Sequence, residues 1–302
     1  MSLNQASRSA PRTQRDSDDG GGLRPRRHAK SALLGAVANH SILIAVLIIF
    51  ISPLFFIVMT ALMTDRQALS SAFWPEPFRW SNFVDVFTAV PLLRYLANTF
   101  LIAGLSTLFS ILSSIPVAYA LARFQFRARG PLLVVVIAGM MLPPQVTIVP
   151  LYVMFADLGW VGSPLPLIVP ALFGDFFTIF LLRQFFVTVP TEYTDAARVD
   201  GASELRILRS VFLPMVKPSI AAASLFAFFY SWNDFFNPLL YLGSSPEWYT
   251  LSIALAQFRT AYAVQWNLAM AATILFVLPV IVLFFFAQRS FVQGIALTGV
   301  KG

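Results

Sequence analysis

The sequence predicts an all-α membrane protein of six transmembrane helices, with both termini in the cytoplasm. Three observations point there: 58% hydrophobic residues against 12% charged, six apolar runs near bilayer length, and a lopsided spread of Lys and Arg among the connections. A soluble chain of 302 residues would need far more charge on its surface.

Residues 1–30 carry seven Lys/Arg among Ser, Gly, Pro and Asp. Almost nothing there is apolar, so the segment cannot offset its ordering entropy and reads as a disordered basic cytoplasmic tail. Arg24, Arg26, Arg27 and Lys30 sit just before the first apolar run, as a positive-inside anchor does. The spans fall near 35–62, 95–121, 131–156, 165–187, 218–242 and 264–287. Each can cross a core of ~30 Å, which takes ~20 helical residues. The first is too long for a signal peptide and has no small-residue cleavage site before Thr64-Asp65-Arg66.

Counting with the N-terminus inside leaves only Arg66, Arg79, Arg94 and Arg259 of the 21 Lys/Arg outside, a bias that fixes the topology. The longest outer segment, 64–94, holds "FWPEPFRW". Trp74, Trp80, Trp160 and Trp248 lie in outer loops and suit the membrane interface. Thr99, Ser106, Ser110, Ser113 and Ser114 in the second span mark close helix packing.

Composition also excludes. There is no cysteine, hence no thiolate site, and His28 and His40 are the only histidines. The net charge of +7 is spread over tail and loops, with no patch that would suit nucleic acid. No phosphate-binding G-x-x-x-x-G-K-[ST] occurs, so the chain cannot hydrolyse ATP through such a motif.

One loop is out of character. Asp195–Pro218, "DAARVDGASELRILRSVFLPMVKP", holds seven charged residues between two apolar spans. Its chemistry reads as two short helices around a turn. Thr191 caps the first, with Glu192 and Asp195 in its first turn, where the helix dipole favours acids. Gly201 suits the left-handed position ending that helix, and Ser203 caps the next. Pro214 closes the second helix, and Pro218 opens the fifth span. A solvated connection is the plain alternative, though connections are usually shorter.

The loop resembles the coupling-loop signature of ABC importer permeases: Glu-Ala-Ala, three residues, Gly, nine residues, a branched apolar residue, any residue, Leu-Pro. Here stand Asp195, Ala196, Ala197, Asp200 before Gly201, then Val211, Leu213 and Pro214. Asp replaces the leading Glu and Val the usual Ile. "MLPPQVTIVPLY" (Met141–Tyr152), "SWNDFFNPLLYL" (Ser231–Leu242) and "QRSFVQGIALTGVKG" (Gln288–Gly302) resemble the carbohydrate-uptake branch, and within it the second permease of maltose-type importers.

The resemblance implies the transmembrane domain of a type I importer, with a permease core over 94–287, a coupling loop near 190–217 and a cytoplasmic tail over 288–302. The first helix and an outer segment, 31–93, precede the core. The resemblance also implies a second, homologous permease, two ATP-binding subunits carrying ATP and Mg, and an extracytoplasmic solute-binding protein. The setting it implies is a prokaryotic cell membrane, and the substrate a sugar or oligosaccharide. This chain would be a non-catalytic subunit without a cofactor of its own.

Polar groups within spans mark the expected pathway, because they are costly unless they line a cavity. Gln145 follows Pro143-Pro144, which breaks the third span, and Asp175 lies mid-span in the fourth beside Gly174. Tyr230, Asn233, Asp234 and Asn237 recur at i, i+3, i+4 and i+7 on one face of the fifth. Amide, carboxylate and aromatic groups together suit sugar hydroxyls and ring faces. The same residues could instead bond between helices and hold the bundle. Glycerol phosphate or a polyol is the alternative cargo. A proton-coupled carrier using Asp175 or Asp234 is the alternative class.

Overall fold

The computed structural model describes residues 27–258 and 265–299. The basic tail expected over 1–30 therefore lies outside it, save for residues 27–30, which are helical. The chain divides into two units, Met1–Pro53 and Leu54–Gly302.

In the first unit the described residues belong to α1 (Arg27–Ala61), which runs on into the second. Ile42, Leu43, Ile48, Ile49 and Phe50 on it are all exposed, Phe50 to 74%. An apolar helix left uncovered is what lipid or another apolar surface stabilises.

The second unit continues with α2 (Asp65–Ala68), α3 (Asn82–Ala89) and the long α4 (Leu92–Arg123). Next come α5 (Arg129–Met141) and α6 (Pro144–Asp157), then α7 (Leu165–Ile168), a 3₁₀ turn (Val169–Phe173) and α8 (Phe176–Thr188). The polar loop forms α9 (Glu192–Val199), α10 (Glu204–Arg206), a π turn (Ile207–Phe212) and α11 (Leu213–Met215). Last are α12 (Lys217–Asn233), α13 (Phe236–Leu242), α14 (Leu251–Gln257) and α15 (Trp266–Gly299).

Four stretches are single spans by length and hydropathy: Asn39–Ala61, Leu92–Arg123, Leu165–Thr188 and Trp266–Phe286. Two more pairs pass only together, α5 with α6 across a 93° bend, and Glu204–Met215 with α12 across 81°. The first break is the one Pro143-Pro144 announced: Pro143 caps α6 and Pro144 opens it, where a missing N–H costs nothing. Among the described residues the fold is all-helical, with up to six spans.

α4 sits at the centre, against α8 on one side and α12 on another, and α12 lies against α15. Close approach comes from small side chains: Ala118, Ala222, Ala223, Ala271 and Ala272 are no more than 2% exposed. Trp232, 1% exposed, fills the remaining space, with its ring 4.8 Å from Phe100, 5.4 Å from Phe228 and 5.7 Å from Phe276. The small polar residues of α4 join helices as expected. Ser106 donates to Leu167 O at 2.8 Å, Ser113 to Ala171 O at 2.8 Å, and Thr99 accepts from Leu251 N at 2.9 Å.

Three expectations change. The fifth span is not one helix: α12 stops at Asn233, and Asp234, extended at ψ 123°, separates it from α13. Asn237 therefore stands on a different helix from Tyr230, and the i, i+3, i+4, i+7 face is broken. The cause is Pro238, which has no N–H to give the carbonyl four residues back. The Asp234 carbonyl instead accepts from Ser252 Oγ at 2.7 Å. The second change concerns Pro214, which lies within the helical run as part of α11, while the turn into α12 falls at Val216 (φ −101°, ψ 10°). Third, the segment expected as a tail from Gln288 is helical as far as Gly299, continuing α15.

Candidate functional site: a docking turn and a polar cavity

α9 ends as Gly201 suggested. Gly201 has φ +78°, its N–H donates to Arg198 O at 3.0 Å, and Ala202 N donates to Ala197 O at 3.0 Å. Those two bonds close the helix end on a left-handed residue that only glycine adopts without strain. Thr191 and Ser203 occupy the N-cap positions of α9 and α10, but neither side chain makes the capping bond. Thr194, 1% exposed, turns its hydroxyl to Thr191 O at 2.8 Å and is the one buried residue of α9.

The rest of the turn faces outward. Asp195, Ala196 and Asp200 are exposed, as are Tyr193 at 54%, Val199 at 88% and Leu205 at 56%. The turn thus carries an uncovered Val and Leu among its charges. Beneath it, Ile207 and Phe212 are fully buried. Phe212 meets Tyr119 and Phe186 edge-on, each ring 5.0 Å away, and the Arg123 guanidinium lies 4.9 Å over its face. Arg123 Nη2 also caps the end of α8, donating to Val189 O at 2.6 Å.

Sequence reasoning missed a chain of polar bonds here. Arg198 Nη1 pairs with Asp195 Oδ1 at 2.8 Å, and its Nε with Glu204 Oε1 at 2.7 Å. Tyr119 of α4 donates to Glu204 Oε2 at 3.2 Å. The hydrogen bond from Arg198 holds the Glu204 carboxyl below the ordinary glutamate range. The i, i+3 spacing of Asp195 and Arg198 signalled the first pair. Nothing local signals Tyr119, 85 residues from Glu204.

The second feature is a cavity of about 380 Å³ between the broken helices. The start of α6 gives it Pro144, Gln145, Thr147, Ile148 and Leu151, and the α12–α13 break gives it Tyr230, Asp234, Phe236, Asn237 and Tyr241. Both breaks thus face the same space, and Gln145, Tyr230, Asp234 and Asn237 come together despite the lost helical face. Asn233 lines an adjoining hollow with Tyr230 and Asp234. Neither wall holds a Lys or Arg.

Asp234 has a second task. Its Oδ1 accepts from Asn237 N at 3.2 Å and its Oδ2 from Asn237 Nδ2 at 2.8 Å, which caps the first turn of α13. Asp175 is not among the residues that line the cavity. It is the N-cap of α8, accepting from Thr178 N at 2.7 Å and Thr178 Oγ1 at 2.6 Å, so it opens α8 rather than sitting in mid-helix. Gly174, at φ +92°, makes that corner.

Known proteins share this plan. The model of the family described as "Binding-protein-dependent transport system inner membrane component" matches residues 106–297. The probable ABC transporter permease protein YurM of Bacillus subtilis is 32% identical over 253 residues, covering 83% of each chain. The arabinooligosaccharides transport system permease protein AraQ of Halalkalibacterium halodurans is 32% identical over 78% of this chain and 85% of its own. The sn-glycerol-3-phosphate transport system permease protein UgpE of Yersinia pestis is 32% identical, over 85% of this chain and 94% of its own. The crystal structure of a bacterial ABC transporter involved in the import of the acidic polysaccharide alginate superposes with a TM-score of 0.73. That match has 21% identity and covers 86% of this chain and 97% of the other.

Proposed function

The chain belongs to the family of binding-protein-dependent transport system inner membrane components, multi-pass permease subunits of ABC importers, and we propose that it carries a neutral sugar or oligosaccharide across the cell membrane. The observation that carries the reading is the turn around Gly201: a Schellman-type helix end with an exposed Val199 and Leu205, at the position of the family's coupling signature. In this reading α9 docks on an ATP-binding subunit, whose closure on ATP and Mg pushes on α9 and, through Phe212, on α4 and α8. A homologous permease completes the pathway, and an extracytoplasmic binding protein delivers the cargo.

The substrate class rests on the cavity. Tyr230, Phe236 and Tyr241 offer ring faces, and Gln145, Asp234 and Asn237 offer hydrogen bonds to hydroxyls. With no cation on the walls, an anionic cargo would enter unpaired beside Asp234, at a cost in a dry pathway. Glycerol phosphate remains the second reading because UgpE is as similar as the sugar permeases. Uptake of labelled neutral oligosaccharides and of labelled glycerol phosphate, in cells with and without this gene, separates the two. Sugar uptake that needs the gene, the binding protein and ATP supports the proposal. Uptake that collapses with a protonophore at constant ATP refutes the ABC mechanism, and uptake of glycerol phosphate alone refutes the cargo.

A further inference from the structure

Of the Asp195–Arg198–Glu204–Tyr119 chain only Asp195 belongs to the family signature, and the chain spans the whole docking turn. Arg198 sits on α9, Glu204 opens α10, and the two bracket Gly201. Their pair at 2.7 Å closes the turn on itself, so that α9 and α10 cannot hinge apart at Gly201 without breaking it. Glu204 then reaches back with its other oxygen to Tyr119, four residues before the end of α4. Tyr119 is 3% exposed and wedged edge-on between Phe124 and Phe212, rings 5.6 and 5.0 Å away, so its hydroxyl is a fixed point on the bundle.

A bidentate use of one carboxylate, one oxygen to a guanidinium and the other to a phenol, gives both distance and direction to the joint. α9 itself buries only Thr194. Without the clamp, the corner at Gly201 would be held by its two backbone bonds and by the packing of α9 on the π turn. A push on that looser corner would reach α4 only through Phe212 and would be partly lost in bending the loop.

We propose that Arg198 and Glu204 are positioning residues that lock the docking turn and, through the Tyr119 hydroxyl, make it move as one body with the central helix α4. The proposal rests on the docking role given to α9. It separates holding a partner from transmitting its motion: Val199 and Leu205 hold, and the Arg198–Glu204–Tyr119 joint transmits.

The test uses the full complex reconstituted with its partner permease, ATP-binding subunits and binding protein, measuring sugar transported per ATP hydrolysed. Glu204→Ala should lower that ratio about fivefold, the scale for losing an ion pair whose partners are 38% and 43% exposed together with one hydrogen bond, while ATP-binding subunits bind as before. Tyr119→Phe, which removes one oxygen and leaves the ring packed, should lower it about threefold. Glu204→Gln can still accept from Arg198 and bond to the Tyr119 hydroxyl, so it should recover most of the ratio. A merely structural role would instead reduce assembly and leave the ratio intact. A wild-type ratio in both Tyr119→Phe and Glu204→Ala overturns the proposal, and so does a Glu204→Gln no better than Glu204→Ala. Gly201→Asp is the control for the docking role: if it still binds and stimulates the ATP-binding subunits normally, docking fails, whatever the clamp variants do.

Discussion

Gly201 allows the docking reading to be split into backbone and surface parts. At φ +78° most side chains bring a conformational penalty, yet a Cβ placed there meets no atom within 4 Å. A clash therefore contributes nothing, and Gly201→Ala should cost only the left-handed strain, about 1–2 kcal/mol. That corresponds to a roughly 5- to 30-fold rise in the open population of the helix end. Hydrogen exchange in nanodiscs should show it at the amides of Gly201 and Ala202, which donate to Arg198 and Ala197. Gly201→Asn works the other way: Asn tolerates the left-handed region, so exchange should stay near wild type. Its side chain would project into the space a docked subunit fills, so affinity for the ATP-binding subunits and stimulated ATPase should fall. Gly201→Asp adds a charge and should abolish uptake. Wild-type affinity in both Asn and Asp variants would refute docking at this turn, and unchanged exchange in the Ala variant would refute the strain.

Asp234→Asn should transport nearly normally, since it still accepts from Asn237, whereas Asp234→Leu should lose transport with the complex assembled; failed assembly in the Leu variant alone would make Asp234 a structural cap of α13 and no part of the route. Asn82, 1% exposed, donates to Ala61 O and Met63 O at 2.8 Å each, so Asn82→Ala should cost about 2–3 kcal/mol and lower the detergent melting temperature; an unchanged melt refutes this. Because Arg198 lowers the Glu204 carboxyl, the clamp should be complete above pH 4.5, the ordinary glutamate value, and be lost only as pH falls through the lowered one. Isotope-edited infrared titration of Glu204 should give a midpoint below 4.5 that rises in Arg198→Gln, and a midpoint at or above 4.5 in the wild type would sink the claim.

The parts legible in the sequence share a local cause. A run of apolar residues states its own length, Pro143-Pro144 states its own break, and Gly201 states the sign of its own φ. The break at Asp234 was legible too, but only to a reader who asks where the carbonyl four residues before Pro238 finds a donor. Reading "SWNDFFNPLLYL" as one helical face ignored that question, and it joined Asn237 to Tyr230 by the wrong geometry. The residues still meet, because both breaks open onto one cavity and not because a helix aligns them.

Asp175 shows the converse. An acid in mid-span reads as functional because burying it is costly, but a corner at Gly174 gives it backbone and hydroxyl donors from Thr178 that no hydropathy count foresees. The Arg198–Glu204–Tyr119 joint was illegible for a third reason: it exists only once α4 and the docking turn have been brought together by Phe212 and Phe186, from opposite ends of the bundle's packing order. The helix end at Gly201 could be read because glycine carries its geometry with it. A device that couples such a turn to the membrane helices has to join residues remote in sequence, and that requirement places it beyond any local pattern.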